Sequence, residues 1–324
     1  MSVLVYLENW EGKFKKNTWE AALYASKTAE KMGTEAIGLT IGEIEDDASQ
    51  AARYGVNKVL NIRNEQLAAG FDPGIFAYAI AEVAKANEAN TVILSGTFNA
   101  KALAGPLAVY FEGALMSNVT ELPADVNPFT VKRSVFSSKG FNMLSSQSER
   151  QIVVFVPNSI GMEEGEGEAN EESTAVSIDA DWRRVEVLEV DRVKGKIPLP
   201  EAERVVSGGR GLKGPENWNI LEELAEALDA GTACSKPVSD MDWRPHSEHV
   251  GQTGIAIKPN LYLAIGISGA IQHLAGVSAS NVIVVINKDD EAPFFKAADY
   301  GIVGDAFEIV PRLTEAVKKF KASN

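Results

Sequence analysis

One cysteine, three histidines and a deficit of basic residues bound this chain of 324 residues before any motif is considered. With Cys234 alone, no disulfide and no cysteine-ligated cluster can form within one chain, and the residue reads as a small buried side chain. His246, Glu248 and His249 bring metal-ligand types together, but with so few histidines a structural group is the better reading. Lys and Arg number 31 against 45 Asp and Glu, a net charge of −14. That balance argues against a nucleic-acid binder, which shows a basic face, and disfavours an anionic membrane surface. Basic faces on partner proteins suit it instead. The longest apolar run, around Leu261 to Gly276, is too short and too polar to span a bilayer. Met1 leads directly into the apolar stretch Val3–Leu7, so no signal or transit peptide is expected and a cytoplasmic, bacterial protein is.

The familiar reactive constellations are missing as well. No G-x-G-x-x-G is expected after the first strand, nor an acidic residue about 20 residues beyond one, and no P-loop is present. Neither a Ser-His-Asp set nor a carboxylate pair stands out, so hydrolysis has little support. A cofactor that brings its own chemistry fits better.

What is present is β-α alternation. Strands are predicted at Val3–Leu7, Ala36–Thr40, Val59–Ile62 and Thr91–Ser95. Helices are predicted from Thr18 to Met32, with Gly33 as C-cap, from Ile75 to Ala86 and from Asn99 to Glu112. Such repetition implies a parallel sheet covered on both faces, with a strand-rich and partly antiparallel stretch from Val119 to Val156. Gly161 to Ser173, dense in Glu and Gly, reads as an exposed loop, and Arg184 to Val190 as a further strand. The Pro- and Lys-containing segment Lys194–Pro200 is the expected domain boundary. Beyond it come a strand Arg204–Ser207, a helix from Trp218 to Ala230 closed by Gly231, a strand Val282–Ile286 and a last helix from Pro311 to Phe320. The expected fold is therefore α/β, in two domains, each with a largely parallel sheet flanked by helices and the second Rossmann-like.

The second half concentrates polar chemistry at predicted strand ends. Leu261–Ile265 opens as a strand, breaks into Gly266-Ile267-Ser268-Gly269, and enters a helix whose first turn carries Gln272 and His273. Glycines between a strand and a helix can aim several N–H groups at one anion. Ser207–Gly211, Cys234–Lys236, Gly251–Gly254, Asn287–Asp289 and Asp305 fall at comparable places. Each turn alone is unremarkable. Converging on the carboxyl edge of one sheet, they predict an elongated ligand with phosphates and hydrogen-bonding rings, which FAD and NAD both satisfy.

Leu261 to Asn287, together with Val205–Gly211, Val250–Gly254 and Ala298–Val303, resembles in order the C-terminal FAD domain of the electron-transfer flavoprotein α subunit. The resemblance implies an electron carrier with no substrate-transforming site, with residues 1–199 an assembly domain and residues 200–324 holding FAD. It places Arg210 against the flavin ring, and Ser235 with Lys236 and the Val250-Gly251-Gln252-Thr253 turn along the ring edge and ribityl chain. Ser268, Gly269, Ala270, Ile271 and Gln272 would cradle the pyrophosphate. His273 would reach the pyrimidine end of the ring, and Asn287, Asp305 and Ala306 would take the adenosine. A flavin that gains an electron gains negative charge near N1 and the C2 carbonyl, where cations and N–H donors stabilise it.

The family also implies a β-subunit partner carrying AMP or a second flavin. Electrons would arrive from acyl-CoA and other flavoprotein dehydrogenases, as in fatty acid β-oxidation, and leave towards a membrane quinone oxidoreductase. Lys236 departs from the family's usual arginine, keeping the charge but losing the planar guanidinium. The alternatives are a nicotinamide-dependent dehydrogenase or a non-redox nucleotide-binding module.

Overall fold

A computed structural model describes residues 1–136, 139–183, 185–190 and 197–323. The chain divides into two compact units, Met1–Ser134 with Phe141–Arg192, and Val135–Gly140 with Val193–Asn324.

In the first unit, short runs of Val, Ile and Leu form strands buried on both faces, the pattern that a parallel sheet under helices requires. Ser2–Tyr6 is buried throughout and pairs in parallel with Glu35–Ile41 on one side and Ala89–Ser95 on the other. Lys58–Ile62 continues the sheet beyond Glu35–Ile41, and Gln151–Phe155 continues it beyond Ala89–Ser95. Alternate side chains enter opposite cores. Leu4 and Tyr6 pack beneath the helices Pro73–Ala86 and Phe98–Phe111, whereas Val3 and Val5 pack beneath Lys16–Met32. Gly33 ends that last helix in the left-handed conformation, φ 67°, as expected. The strand-rich stretch is antiparallel where Ala114–Val119 meets Phe129–Val135.

Two expectations fail here. Asn170–Thr174, placed in an exposed acidic loop by composition, is an edge strand parallel to Lys58–Ile62, with Lys58 Nζ 3.0 Å from the Glu172 carboxylate. Backbone pairing and a neighbouring cation outweigh a poor apolar content. Val185–Val190 forms no strand. Arg184 and Lys194–Lys196 lie outside the described residues.

Carboxylates of the chain itself close the carboxyl edge of this sheet. Glu8 accepts from Thr97 Oγ1 at 2.6 Å and Asn99 Nδ2 at 2.9 Å. Glu20, only 3% exposed, accepts the backbone N–H groups of Asn158, Ser159 and Ile160 at 2.7, 2.8 and 3.1 Å. Glu20→Ala removes the acceptor of three main-chain donors and should cost about 3 kcal/mol at roughly 1 kcal/mol per bond. Urea unfolding followed by tryptophan fluorescence measures it, and a cost under about 1 kcal/mol would contradict that count.

The second unit is a five-stranded, all-parallel sheet. Arg204–Gly208 lies between Gly231–Cys234 and Leu261–Ile265, followed by Val282–Asn287 and the edge strand Tyr300–Val303. Counted along the unit, the order is 2-1-3-4-5. One face packs the helices Asn219–Leu228 and Ala306–Ser323 through Leu221, Leu224 and Val310. The other packs Val205, Tyr262, Val285 and Phe294. The helix expected to close at Gly231 closes at Asp229, left-handed at φ 50°, and Gly231 begins the next strand. The last helix starts at Ala306 rather than Pro311, which sits inside it. Asp305 Oδ1 caps the helix start, accepting from Phe307 N at 2.9 Å. Among the described residues, no helix is long and apolar enough to cross a membrane, and no group of His, Cys, Asp and Glu is arranged to hold a metal ion.

Candidate functional site

In a sheet of order 2-1-3-4-5 the chain reverses direction between its first and third strands, and the loops leaving those strands diverge to open a crevice. Here that switch point falls between the ends of Arg204–Gly208 and Leu261–Ile265. Glycines allow the two loops to start in contact. Gly209 N donates to Ile265 O and Gly211 N to Gly266 O, both at 3.0 Å. A Cβ on Gly209 would stand 2.2 Å from Gly266 O, and one on Gly211 would stand 2.7 Å from Gly266 Cα. Gly266 itself has φ +62°. Arg210, between the two glycines, is exposed, while Leu212 anchors the loop in the core.

The other expected residues gather on the same edge. Ser235 N donates to Gly208 O at 3.0 Å, and its hydroxyl makes no capping bond to the short helix that begins with the exposed Lys236. Val250 is buried and bonded to Cys234 O, fixing the base of the next turn. Gln252 N donates to Gln272 O at 2.7 Å, which draws this turn against the helix Ile271–Val277. The two approach so closely that a Cβ on Gly276 would stand 2.5 Å from Gly251 N. Gln252 and Thr253 project from the turn, exposed. Gly269, φ +86°, lies against the Phe294 backbone, whose N–H bonds Ser268 O at 3.1 Å. Ser268, Ala270, Ile271 and Gln272 remain exposed along the loop.

Four residues reach this edge engaged or buried. Asn287 donates Nδ2 to Ile267 O at 3.1 Å and accepts Asp289 N at 3.1 Å. Asp305 engages one carboxylate oxygen, Oδ1, as the helix cap, and Ala306 is buried at the helix start. His273 turns inward. Its ring is 6% exposed, Nε2 lies 2.7 Å from Tyr262 Oη, and Nδ1 is buried without a hydrogen bond. Burial first, and then neighbouring His249, push its pKa down to about 4, against a weaker opposing effect of the Val250 backbone. In this conformation Nε2 is engaged by Tyr262 and Nδ1 lies beneath the surface of the edge.

The expectation that no acidic residue sits about 20 residues beyond a G-x-G-x-x-G does not hold. Gly209-Arg210-Gly211-Leu212-Lys213-Gly214 spells G-x-G-x-x-G after the first strand of this unit, with Asp229 20 residues past Gly209. The geometry is not that of the dinucleotide fingerprint. The loop passes through two short 3-10 turns before Asn219, and its first two glycines pack on Gly266. Asp229 pairs with Lys321 and, at 3.8 Å, with Arg204 at the start of the strand, on the opposite edge of the sheet.

The residues present suit a large nucleotide. At the switch point the two loops meet backbone to backbone, with no room for a Cβ on Gly209 or Gly211. Arg210 and Lys236 supply exposed cations, and Gln252, Thr253, Ser268 and Gln272 supply exposed hydrogen-bonding groups along one edge. The family model described as the electron transfer flavoprotein FAD-binding domain matches residues 198–278, which span most of this edge. That match decides between FAD and NAD in favour of FAD. The electron transfer flavoprotein domain matches residues 3–181. The electron transfer flavoprotein subunit alpha of Bacillus subtilis (strain 168) is 37% identical over 321 residues, covering 98% of this chain and 97% of its own. That of Paracoccus denitrificans is 34% identical over 324 residues, covering 97% and 99%. That of Syntrophomonas wolfei is 33% identical over 320 residues, covering 97% and 98%. With the FAD domain at the crevice and the likeness running the length of the chain, this chain belongs to the electron transfer flavoprotein α-subunit family of electron carriers.

Proposed function

We propose that this chain is the FAD-bearing subunit of a cytoplasmic heterodimer. Residues 200–324 hold the cofactor, and residues 1–199 serve assembly with a β subunit. Electrons arrive from flavoprotein dehydrogenases, acyl-CoA dehydrogenases among them, and leave towards a membrane quinone oxidoreductase. Bound FAD supplies the redox chemistry. The side chains around it hold it, orient it and set its electrostatic surroundings.

The observation that carries this reading is the pair of exposed cations at adjoining strand ends, Arg210 and Lys236, beside the glycine turns at which the loops after Arg204–Gly208 and Leu261–Ile265 meet. Ser235 and the exposed Gln252–Thr253 tip bind along the ring edge and ribityl chain, and the loop Ser268–Gln272 takes the pyrophosphate. Asn287, Asp305 and Ala306 shape the adenosine end through the loops they brace. His273, hydrogen-bonded to Tyr262, lies at the pyrimidine end of the ring.

Reduction adds negative charge to a flavin, so a nearby cation favours the reduced form. At an effective dielectric of about 20, a unit charge about 4 Å away contributes roughly 4 kcal/mol before screening, and even a tenth of that is measurable as a potential. Arg210→Ala and Lys236→Ala should each lower the flavin potential in the purified heterodimer. Lys236→Arg should preserve or raise it, because the guanidinium keeps the charge and can stack. Potentials identical in wild type and all three variants would remove both side chains from the flavin's surroundings.

A further inference from the structure

The turn that presents Gln252 and Thr253 is wound around a histidine. His249 is 2% exposed, and its ring stands edge-on to His246 at 5.3 Å between centroids. The chain loops over it and returns. Ile255 N donates to His249 O at 2.9 Å, Gly251 N to Ile255 O at 3.2 Å, and Gly254 N to Gly251 O at 3.1 Å. The two glycines of the turn meet the two ring nitrogens. A Cβ on Gly254 would stand 2.8 Å from Nδ1, and one on Gly251 would stand 3.4 Å from Nε2. From behind, His249 is held by a bridge to Cys234 and by its own N–H to His246 O at 3.0 Å. The imidazole is thus the filling of the turn.

We propose that His249 is a positioning residue that sets where the Gln252–Thr253 tip stands against the flavin, and that it does so as a neutral ring. The inference rests on the placement of that tip at the cofactor. Its surroundings explain the requirement for neutrality. His246 lies on its own segment, as does Glu248, whose carboxylate is held by Arg244 at 2.7 and 2.8 Å. Lys236 and Asp240 face it from the helix Lys236–Asp240, the Cys234 strand lies alongside, and His273 faces it from the helix Ile271–Val277. Burial, then His246 and Lys236, hold its pKa below the ordinary histidine range, with Asp240 opposing. A proton on this ring would be a buried cation with basic neighbours in a turn that has no slack.

The test uses the holoprotein with its partner subunit and compares wild type, His249→Gln and His249→Ala. FAD affinity and the visible circular dichroism of the bound flavin are read between pH 7.5 and pH 5. His249→Ala should weaken FAD binding about tenfold or more by leaving the turn unfilled, and should alter the flavin dichroism. His249→Gln, neutral at every pH and similar in length, should restore affinity to within about threefold at pH 7.5. Wild-type affinity should fall as the pH drops, and that of the Gln variant should fall less. An Ala variant that folds and binds FAD with wild-type affinity and dichroism would overturn the proposal. So would a Gln variant with the same pH dependence as wild type, which is decisive even if the Ala variant does not fold. An affinity that responds at His249 while the potential ignores Arg210→Ala would sink the Arg210 placement and leave this one standing.

Discussion

Alanine at Gly209 should abolish FAD retention and destabilise the second unit by about 3 kcal/mol or more, the upper range for forcing atoms into a packed site. The added Cβ would stand 2.2 Å from Gly266 O and 2.8 Å from Gly266 C. Those are backbone atoms, so no rotamer change can relieve the clash. The Gly209–Ile265 and Gly211–Gly266 hydrogen bonds, which set the mouth of the crevice, must break or shift. Gly105→Ala is the control. That glycine is an exposed residue within the helix Phe98–Phe111, with nothing within 4 Å of a built Cβ. There alanine should stabilise by about 0.5–1 kcal/mol through helix propensity, with FAD content unchanged. Flavin-to-protein absorbance ratios and urea midpoints for both variants measure the contrast. A Gly209→Ala protein that keeps full flavin and wild-type stability would mean that the two loops do not meet as described.

Acid should weaken the second unit through His273. Its folded pKa is pushed down to about 4, while the unfolded chain returns it to about 6.5. Above pH 6.5 both states hold it neutral and its neutral-ring contribution is fully present. As the pH falls towards 4 the unfolded state takes up a proton that the folded state refuses, so stability declines over that window. The difference of about 2.5 units corresponds to about 3 kcal/mol at the acid end. Tyr262, the partner of Nε2, has its own pKa raised by burial, so it remains a phenol throughout. His273→Gln cannot titrate. Between pH 7 and pH 4.5 the wild type should therefore lose about 2 kcal/mol more than the variant in urea unfolding. Parallel losses in the two proteins would show that the decisive proton binds elsewhere.

Helix and strand positions in both units were legible because apolar residues recur at 3.6 or run unbroken, and because Gly33 stands at a helix end. The carboxyl-edge site was legible for a related reason. Strand, glycine turn and helix are local patterns, and in a parallel sheet all strand ends of one kind share an edge. Less legible were features whose cause lies far along the chain. Asn170–Thr174 looks too acidic for a strand, yet it pairs with Lys58–Ile62 about 110 residues away. The G-x-G-x-x-G at Gly209 is spelled correctly but serves contact with Gly266. The acid about 20 residues on lies across the sheet from the crevice.

By itself, the sequence determined that this is a two-part α/β chain with one glycine-rich, hydrogen-bonding edge, and motif order there carried the family and its FAD. Hydrophobic period, glycine placement and chain order are properties of short segments, so no fold is needed to read them. Tertiary structure alone decided which side chains at that edge face outward and which are consumed. Arg210, Lys236 and Gln252 are exposed, Asn287 and Asp305 are tied into their own loops, and His273 and His249 are buried behind the turn they support. That division depends on which neighbours packing brings within hydrogen-bond or van der Waals reach. Tyr262 lies 11 residues from His273, and Gly211 lies 55 from Gly266. No local pattern encodes such distances, because they exist only once the strands have taken their order in the sheet.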